Sequence, residues 1–280
     1  MAYKSVFRED YFKEKTVIVT GGGSGIGRCL AHELCSLGAN IVITGRNEIK
    51  LECVVNELSE YSGAAKYYVC DSRDEQKVSQ TIDSVLDSFG AIDGLVNNAG
   101  GQYPALLEGL SLKGFNAVIN NNLNGTFLMM REVYKKHMRD HGGAIVNMSI
   151  AFTAEGLPGM GHSGCSRAGV ENLTKTAATE WARSNVRVNC VSPGWIQSSG
   201  LDSYKKTAVE ALMPLVEQKV PLYRKGSESE VSGSICYLLS EASAYVTGVT
   251  LRIDGGTSLS NQFFPLSKPL HNNTYDGFKE

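Results

Sequence analysis

The chain has 280 residues, with 27 Lys and Arg against 29 Asp and Glu, for a formal net charge of −2. So even a balance disfavours a polyanion-binding surface, and nucleic acid is not an expected partner. A content of 42 % hydrophobic and 20 % charged residues fits a globular chain, and no apolar run nears the ~20 residues that a bilayer span requires.

In chain order, short apolar runs at Thr16–Thr20, Asn40–Thr44, Lys66–Val69, Gly94–Asn97, Ala144–Met148, Arg187–Val191 and Val249–Ile253 read as strands. Helical periodicity lies between them at Ile26–Leu37, Glu48–Glu60, Asp74–Phe89, Leu112–Arg139, Gly164–Arg183 and Glu228–Ser240. Strands apolar on both faces and separated by helices imply a parallel sheet covered on both sides. The expected architecture is a single α/β domain over residues 1–280, a doubly wound parallel sheet with helices on both faces. Residues 195–225 interrupt the alternation after a strand end, where α/β sheets build their ligand crevice, and read as a substrate lid. Thr257–Glu280 is a polar tail.

The charged N-terminus, Met1–Asp10, lacks the apolar segment of a signal peptide. The seven cysteines (Cys29, Cys35, Cys53, Cys70, Cys165, Cys190 and Cys236) are scattered, form no CxxC and have no histidine at metal-ligand spacing. They read as reduced thiols of a cytoplasmic protein with no metal site. The final residues Gly277–Glu280 do not spell a peroxisomal address.

Directly after the first strand, Thr20-Gly21-Gly22-Gly23-Ser24-Gly25-Ile26-Gly27 runs into a helix. Glycines there let the backbone turn sharply and bring its amides against a pyrophosphate, and the helix N-terminus adds unpaired N–H groups. Dinucleotide binding follows, with Gly21, Gly23, Ser24, Gly25, Ile26 and Gly27 as its cradle. The second strand ends Ile43-Thr44-Gly45-Arg46. A carboxylate at that point would hold ribose hydroxyls and repel a 2′-phosphate, whereas Arg46 offers a fork suited to phosphate, which predicts NADP(H) over NAD(H).

These residues, with Asn97-Asn98-Ala99-Gly100 after the fourth strand and Pro193-Gly194 after the sixth, resemble the short-chain dehydrogenase/reductase superfamily over roughly Lys13–Leu259. The resemblance implies a Rossmann-type sheet of about seven strands, nicotinamide chemistry and commonly a homotetramer. It places Asp71 at the adenine and Asn98, Ala99 and Gly100 along the cofactor. Pro193 and Gly194 carry a cofactor motif, with Ile196 and Ser198 beside the nicotinamide. Asn122 falls on the family's catalytic asparagine.

The departures from that family bear on the chemistry. Its usual site is a serine followed thirteen residues later by Tyr-x-x-x-Lys. Here Ser163 stands at the tyrosine position, Arg167 at the lysine position and Ile150 at the serine position, with Ser149 adjacent. Arginine keeps the positive charge and can bind the nicotinamide ribose, but it cannot release a proton near neutral pH. Alcohol–ketone interconversion needs a proton moved on oxygen. Hydride addition to a conjugated thioester instead collects charge as an enolate, which needs donors aimed at an oxyanion, worth ~2.7–4 kcal/mol each. Reduction of a C=C bond is therefore the expected reaction.

The segments Asn98–Tyr103 and His162–Val170 look like those of the peroxisomal trans-2-enoyl-CoA reductases. The 2,4-dienoyl-CoA reductases also place serine at the tyrosine position but keep the lysine, and their functional tyrosine falls here on Phe152. The enoyl reductases' proposed tyrosine acid falls on Glu171. Ser163, Gln102, Tyr103 and backbone amides are candidate donors, and His162 could titrate near neutral pH. Ser163 is also placed to cap a helix and Arg167 to pair with Glu171. Tyr103 serves packing equally well, and His162 could be a hydrogen-bonded structural residue.

An acyl-CoA or other lipid is the expected substrate, with Lys205, Lys206, Arg224 and Lys225 as candidates to meet CoA phosphates. Two further readings stand beside the enoyl-CoA reductase: a dehydrogenase of lipid or branched, terpenoid-like alcohols or aldehydes with His162 or Tyr103 as base, and a cofactor-binding scaffold or sensor without turnover.

Overall fold

The computed structural model describes residues 3–202, 213–259, 267 and 269–278. The alternation read from the sequence is realised as β1 (Thr16–Thr20), α1 (Gly25–Ser36), β2 (Asn40–Gly45), α2 (Glu48–Leu58), β3 (Ala65–Val69), α3 (Glu75–Phe89) and β4 (Gly94–Asn97). A long helical stretch then runs through α4 (Leu112–Ile119), α5 (Gly125–Val133) and α6 (Arg139–His141) into β5 (Gly143–Met148). Next come α7 (Gly161–Trp181), β6 (Val186–Pro193), β7 (Ile196–Gln197), α8 (Ser199–Asp202), α9 (Met213–Lys219), β8 (Gly226–Ser227), α10 (Glu228–Leu239) and β9 (Thr250–Ile253).

Seven strands form one sheet in the order β3-β2-β1-β4-β5-β6-β9, every pair parallel. Alternation along β1 shows why its five residues are all apolar or β-branched. Val17 and Val19 point into the core beneath α1, α2 and α10, while Ile18 points into the core beneath α3, α5 and α7. Strand order reverses between β1 and β4, which opens a crevice at their C-terminal ends.

The helix expected without interruption over Leu112–Arg139 carries two π turns, Asn120–Asn124 and Tyr134–Met138. The helix expected from Gly164 begins three residues earlier, at Gly161. Within residues 195–225, β7 pairs in parallel with β8 through Ile196↔Gly226, a two-stranded ribbon too short to announce itself in the sequence. Residues 203–212 of that segment lie outside the described residues, and so do Lys205 and Lys206.

The polar tail is tied down where it is described. The Arg224 guanidinium donates to Asn272 Oδ1 at 2.8 Å, the Ser227 hydroxyl donates to the Tyr275 carbonyl, and Lys4 N–H donates to the Gly277 carbonyl at 2.8 Å. Both termini converge on Glu33, a fully buried carboxylate of α1. It accepts from Tyr3 at 3.1 Å, Ser5 at 2.7 Å, Ser232 at 2.5 Å and Tyr275 at 3.0 Å. Among the described residues no helix is long and apolar enough to cross a membrane.

Candidate active site

A crevice of about 1010 Å³ opens along the C-terminal ends of β1, β2, β4, β5 and β6. Gly21 and Gly25 adopt φ of +68° and +59°, a left-handed backbone open to glycine at little cost. A Cβ on Gly27 would lie 2.5 Å from the Gly21 carbonyl, so the helix can approach the strand only as glycine. Ser24 caps α1 without a side-chain bond, and the first turn carries no acidic residue. The leading amides of α1 are thus left without a capping side chain. The Asn98 amide donates to the Thr20 carbonyl at 2.9 Å and the Ala99 N–H to Thr20 Oγ1 at 2.9 Å, which locks the β4 end beside this cradle.

At one end of the crevice stand Arg46, Lys50 and Asp71. Arg46 is exposed and makes no ion pair among the described residues. Arg73 grips the Asp71 carboxylate in a fork, with Nε–Oδ1 at 2.8 Å and Nη2–Oδ2 at 2.5 Å. That guanidinium, with a smaller contribution from Arg46, holds the carboxyl below its ordinary range.

At the other end Ser163, Gln102 and Arg167 face the crevice. Arg167 is buried and donates through Nη1 to the Met148 carbonyl at 2.6 Å, while its Nε has no partner. Burial lowers its pKa to about 10, which leaves it charged near neutral pH. A Cβ on Gly100 would lie 2.1 Å from Arg167 Nη2, so the guanidinium occupies room that only glycine leaves. A buried cation with a free N–H is costly unless something accepts from it. The glycine cradle, the bare helix N-terminus and this buried guanidinium with its unpartnered Nε together fit a dinucleotide, whose pyrophosphate and nicotinamide ribose would supply acceptors.

The Ser163 hydroxyl donates to Gln102 Oε1 at 3.4 Å. Ser163 lies inside α7, whose N-cap is Met160, so it is not the helix cap. Nor does Arg167 pair with Glu171. The Glu171 carboxylate instead accepts from Ser149 at 2.6 Å and Thr153 at 2.9 Å, both in the segment that follows β5. Phe152 and Trp195 stand 5.8 Å apart and, with Ile150, Leu157, Met160 and Leu201, make the walls at this end apolar.

Most residues singled out from the sequence meet in this crevice: Gly21, Ser24, Gly25, Ile26, Arg46, Asp71, Asn98, Ala99, Gly100, Ser163, Arg167, Pro193, Gly194, Ile196 and Ser198 line it. Gly23, Gly27, Asn122, His162 and Tyr103 do not. Asn122 is buried behind the wall, where its Oδ1 accepts the Gly101 N–H at 2.9 Å and its Nδ2 donates to Ser166 at 3.2 Å. His162 is buried, and its Nδ1 accepts the Ser163 N–H at 2.8 Å. Burial pushes its pKa down and keeps it neutral. Tyr103 is 44 % exposed and sets its ring edge-on to His162 at 4.9 Å, away from the crevice.

Arg224 and Lys225 are engaged elsewhere. Arg224 forms a two-pronged bond to Glu230 at 2.8 and 2.5 Å, and Lys225 pairs with Glu217 at 3.5 Å. The sequence offered no sign of the apolar walls from Leu157, Met160 and Trp195, because they lie on irregular segments where periodicity carries no information. Their one legible feature is position, after strands that end at the crevice.

A family model described as enoyl-(acyl carrier protein) reductase matches residues 21–258. The chain is 34 % identical over 261 residues to a peroxisomal 2,4-dienoyl-CoA reductase of Danio rerio, covering 92 % of this chain and 86 % of that protein. It is 35 % identical over 242 residues to the 3-oxoacyl-(acyl-carrier-protein) reductase FabG of Thermotoga maritima, covering 86 % and 97 %. Among solved structures, the citronellol catabolism dehydrogenase AtuB of Pseudomonas aeruginosa PAO1 superimposes with a TM-score of 0.82 at 47 % identity, covering 91 % of this chain and all of that one.

Proposed function

The chain belongs to the short-chain dehydrogenase/reductase superfamily of NAD(P)-dependent oxidoreductases, and on that premise we propose that it reduces the C=C bond of an apolar 2-enoyl-CoA thioester with NADPH. The observation that carries this reading is the composition of the crevice beside Arg167. Its polar side chains there include the hydroxyls of Ser163 and Ser149, the Gln102 amide and the buried guanidinium; among the described lining residues no tyrosine occurs, and the amine of Lys50 stands at the opposite end with Arg46. When bound, a nicotinamide dinucleotide supplies the hydride. Arg167 holds the ribose, Asn122 fixes the Gly101 backbone that shapes the wall, and Ser163 with Gln102 offers hydrogen bonds to a thioester oxygen as charge gathers on it. The exposed Arg46, which follows Gly45 at the end of β2 where a carboxylate would repel a 2′-phosphate, supports NADP(H). His162 and Tyr103 support the site from behind, as a neutral ring packed on an aromatic one.

The decisive assay is NADPH consumption with 2-enoyl-CoAs of several chain lengths, beside NADP⁺ reduction with branched lipid alcohols. Turnover of the thioesters is expected. A second reading, oxidation of branched alcohols, is favoured by the 47 % identity to a citronellol catabolism dehydrogenase, and turnover of alcohols alone would establish it instead. Tight cofactor binding without turnover of either class would mark a scaffold or sensor. Arg46→Ala is expected to weaken NADPH binding about tenfold or more, from the loss of a charged hydrogen bond of ~1.5–3 kcal/mol, and to leave NADH binding unchanged. Equal losses for both cofactors would overturn the preference.

The same proposal takes residues 1–280 as one catalytic domain with 195–225 as its lid. The seven free thiols support a reducing, cytoplasmic setting. Exposed Tyr245 and Val249, in the segment that leads into the edge strand β9, support a homo-oligomer, with a tetramer as the mass expected from light scattering.

A further inference from the structure

Glu228, the first residue of α10, stands at the rim of the phosphate cradle. A Cβ built on Gly25 would lie 3.7 Å from Glu228 Oε1 and 3.2 Å from the Ser199 hydroxyl. The Ser199 amide, which opens α8 after the cofactor motif, donates to the Glu228 carboxylate. The charges around it do not neutralise it. Arg28 of α1 is the cation that acts on it, but the Arg28 Nε is bonded to Glu57 at 2.7 Å and its guanidinium lies 5.2 Å from the Phe278 ring. Asp276 of the tail adds a second negative charge, the neighbouring Cys29 thiol on α1 stays protonated through burial, and Glu230, two residues further along α10, is taken by Arg224. Burial, the largest influence, and Asp276 both push the Glu228 pKa upward, against the pull of Arg28 and the Ser199 amide.

A pyrophosphate that settles on the amides of Ser24, Gly25 and Ile26 brings negative charge to within a few ångströms of this carboxylate. Like charges at such a distance disfavour the ionised form of the weaker acid. A neutral carboxyl keeps an oxygen for the Ser199 amide and gains an O–H that can donate to phosphate. Resting on the cofactor assignment above, we infer that Glu228 takes up a proton when the dinucleotide binds, which makes it the positioning residue that joins the first turn of the lid to the phosphate cradle. The atoms balance simply: one proton passes from solvent to a Glu228 oxygen, and no other bond changes.

The test is calorimetric titration of NADPH into the intact protein at neutral to mildly alkaline pH, in buffers of different ionisation enthalpy. The 2′-phosphate of NADPH titrates near pH ~6 on its own account. The informative quantity is therefore the difference in proton count between the wild type and Glu228→Gln, which mimics the neutral carboxyl. The wild type is expected to take up close to one more proton per NADPH, and its affinity to fall by up to about tenfold per pH unit relative to the variant as pH rises. At alkaline pH Glu228→Gln is expected to bind NADPH more tightly than the wild type does. Equal proton counts in the two proteins would overturn the inference while leaving the cofactor assignment intact, and no binding by either would overturn both. Should the variant fail to fold, the wild type alone decides by infrared difference spectroscopy. A new carboxylic-acid C=O band on NADPH binding is expected, and its absence overturns the inference.

Discussion

Arg167 shows at the scale of one residue how a substitution of type changes what a site can do. A lysine there would end in a compact ammonium able to share or lose its proton, whereas the guanidinium stays charged and presents several N–H groups at fixed angles. Its burial without an anion in the unliganded protein costs stability, because charges are kept inside only when paired. Arg167→Met removes that cost together with the ligand contact. We expect the apo protein to melt at the same temperature or higher, and NADPH binding to weaken at least about tenfold, or ~1.4 kcal/mol. A variant that melts lower in the apo form while binding NADPH normally would make Arg167 a structural residue instead. At this scale the sequence was informative wherever a residue type contradicted its motif, as with Ser163 and Arg167. It was silent on partners: Gln102 beside Ser163, and Ser149 and Thr153 on Glu171, come from segments far apart along the chain.

Elements were legible in proportion to how strictly burial dictates their pattern. The strands of the sheet are buried on both faces at its centre and could be read within a residue or two, as could α1, α3 and α10. The π turn at Asn120–Asn124 could not, since inserting one residue into a helix leaves its composition unchanged and shifts only the face that each side chain presents. That shift has a consequence for the site. It turns Asn122 inward, where its amide bridges Gly101 on the β4 loop and Ser166 on α7. Replacement by alanine would remove the acceptor of the Gly101 N–H and the amide that donates to the buried Ser166 hydroxyl. We expect Asn122→Ala to cost about 1–3 kcal/mol of stability and to lower kcat/KM, read by thermal melting and by steady-state kinetics. Full stability together with full activity would show that the bridge is dispensable. The β7–β8 ribbon escaped the sequence because its hydrogen bonds run between backbone groups that every residue carries, and the anchored tail because its partners, Arg224, Ser227 and Glu33, lie far away along the chain.

Across the whole molecule, the buried polar groups set how stability responds to acid. Burial lowers the pKa values of His32, His137 and His162 below the ordinary ~6.5, despite the opposing pull of Glu57 on His32. The unfolded chain therefore binds protons that the native chain refuses, in the window from about 6.5 down to the native values. By linkage, stability falls as pH drops through that window. A second loss follows at lower pH. The carboxyls of Asp71, held by Arg73, and of Glu57 and Glu230, held by their arginines against the effect of burial, also sit below their ordinary values. Their contribution is present above about pH 4.5 and disappears as they are protonated. Glu228 has the opposite sign, because its raised value lets the native state bind a proton earlier than the unfolded one. One carboxyl of this kind is set against three histidines. The melting temperature of the apo protein is thus expected to decline from about pH 6.5 downward and, because burial raises the pKa values of Cys29, Cys35, Cys70, Cys190 and Cys236, to decline again as pH rises past the ordinary thiol value of ~8.5, with a plateau between. His162→Gln should make that decline shallower without altering the plateau's pH range. A wild-type profile that is flat between pH 7 and 5, or one of equal steepness in His162→Gln, would mean that these histidines are solvated and titrate normally in the native state.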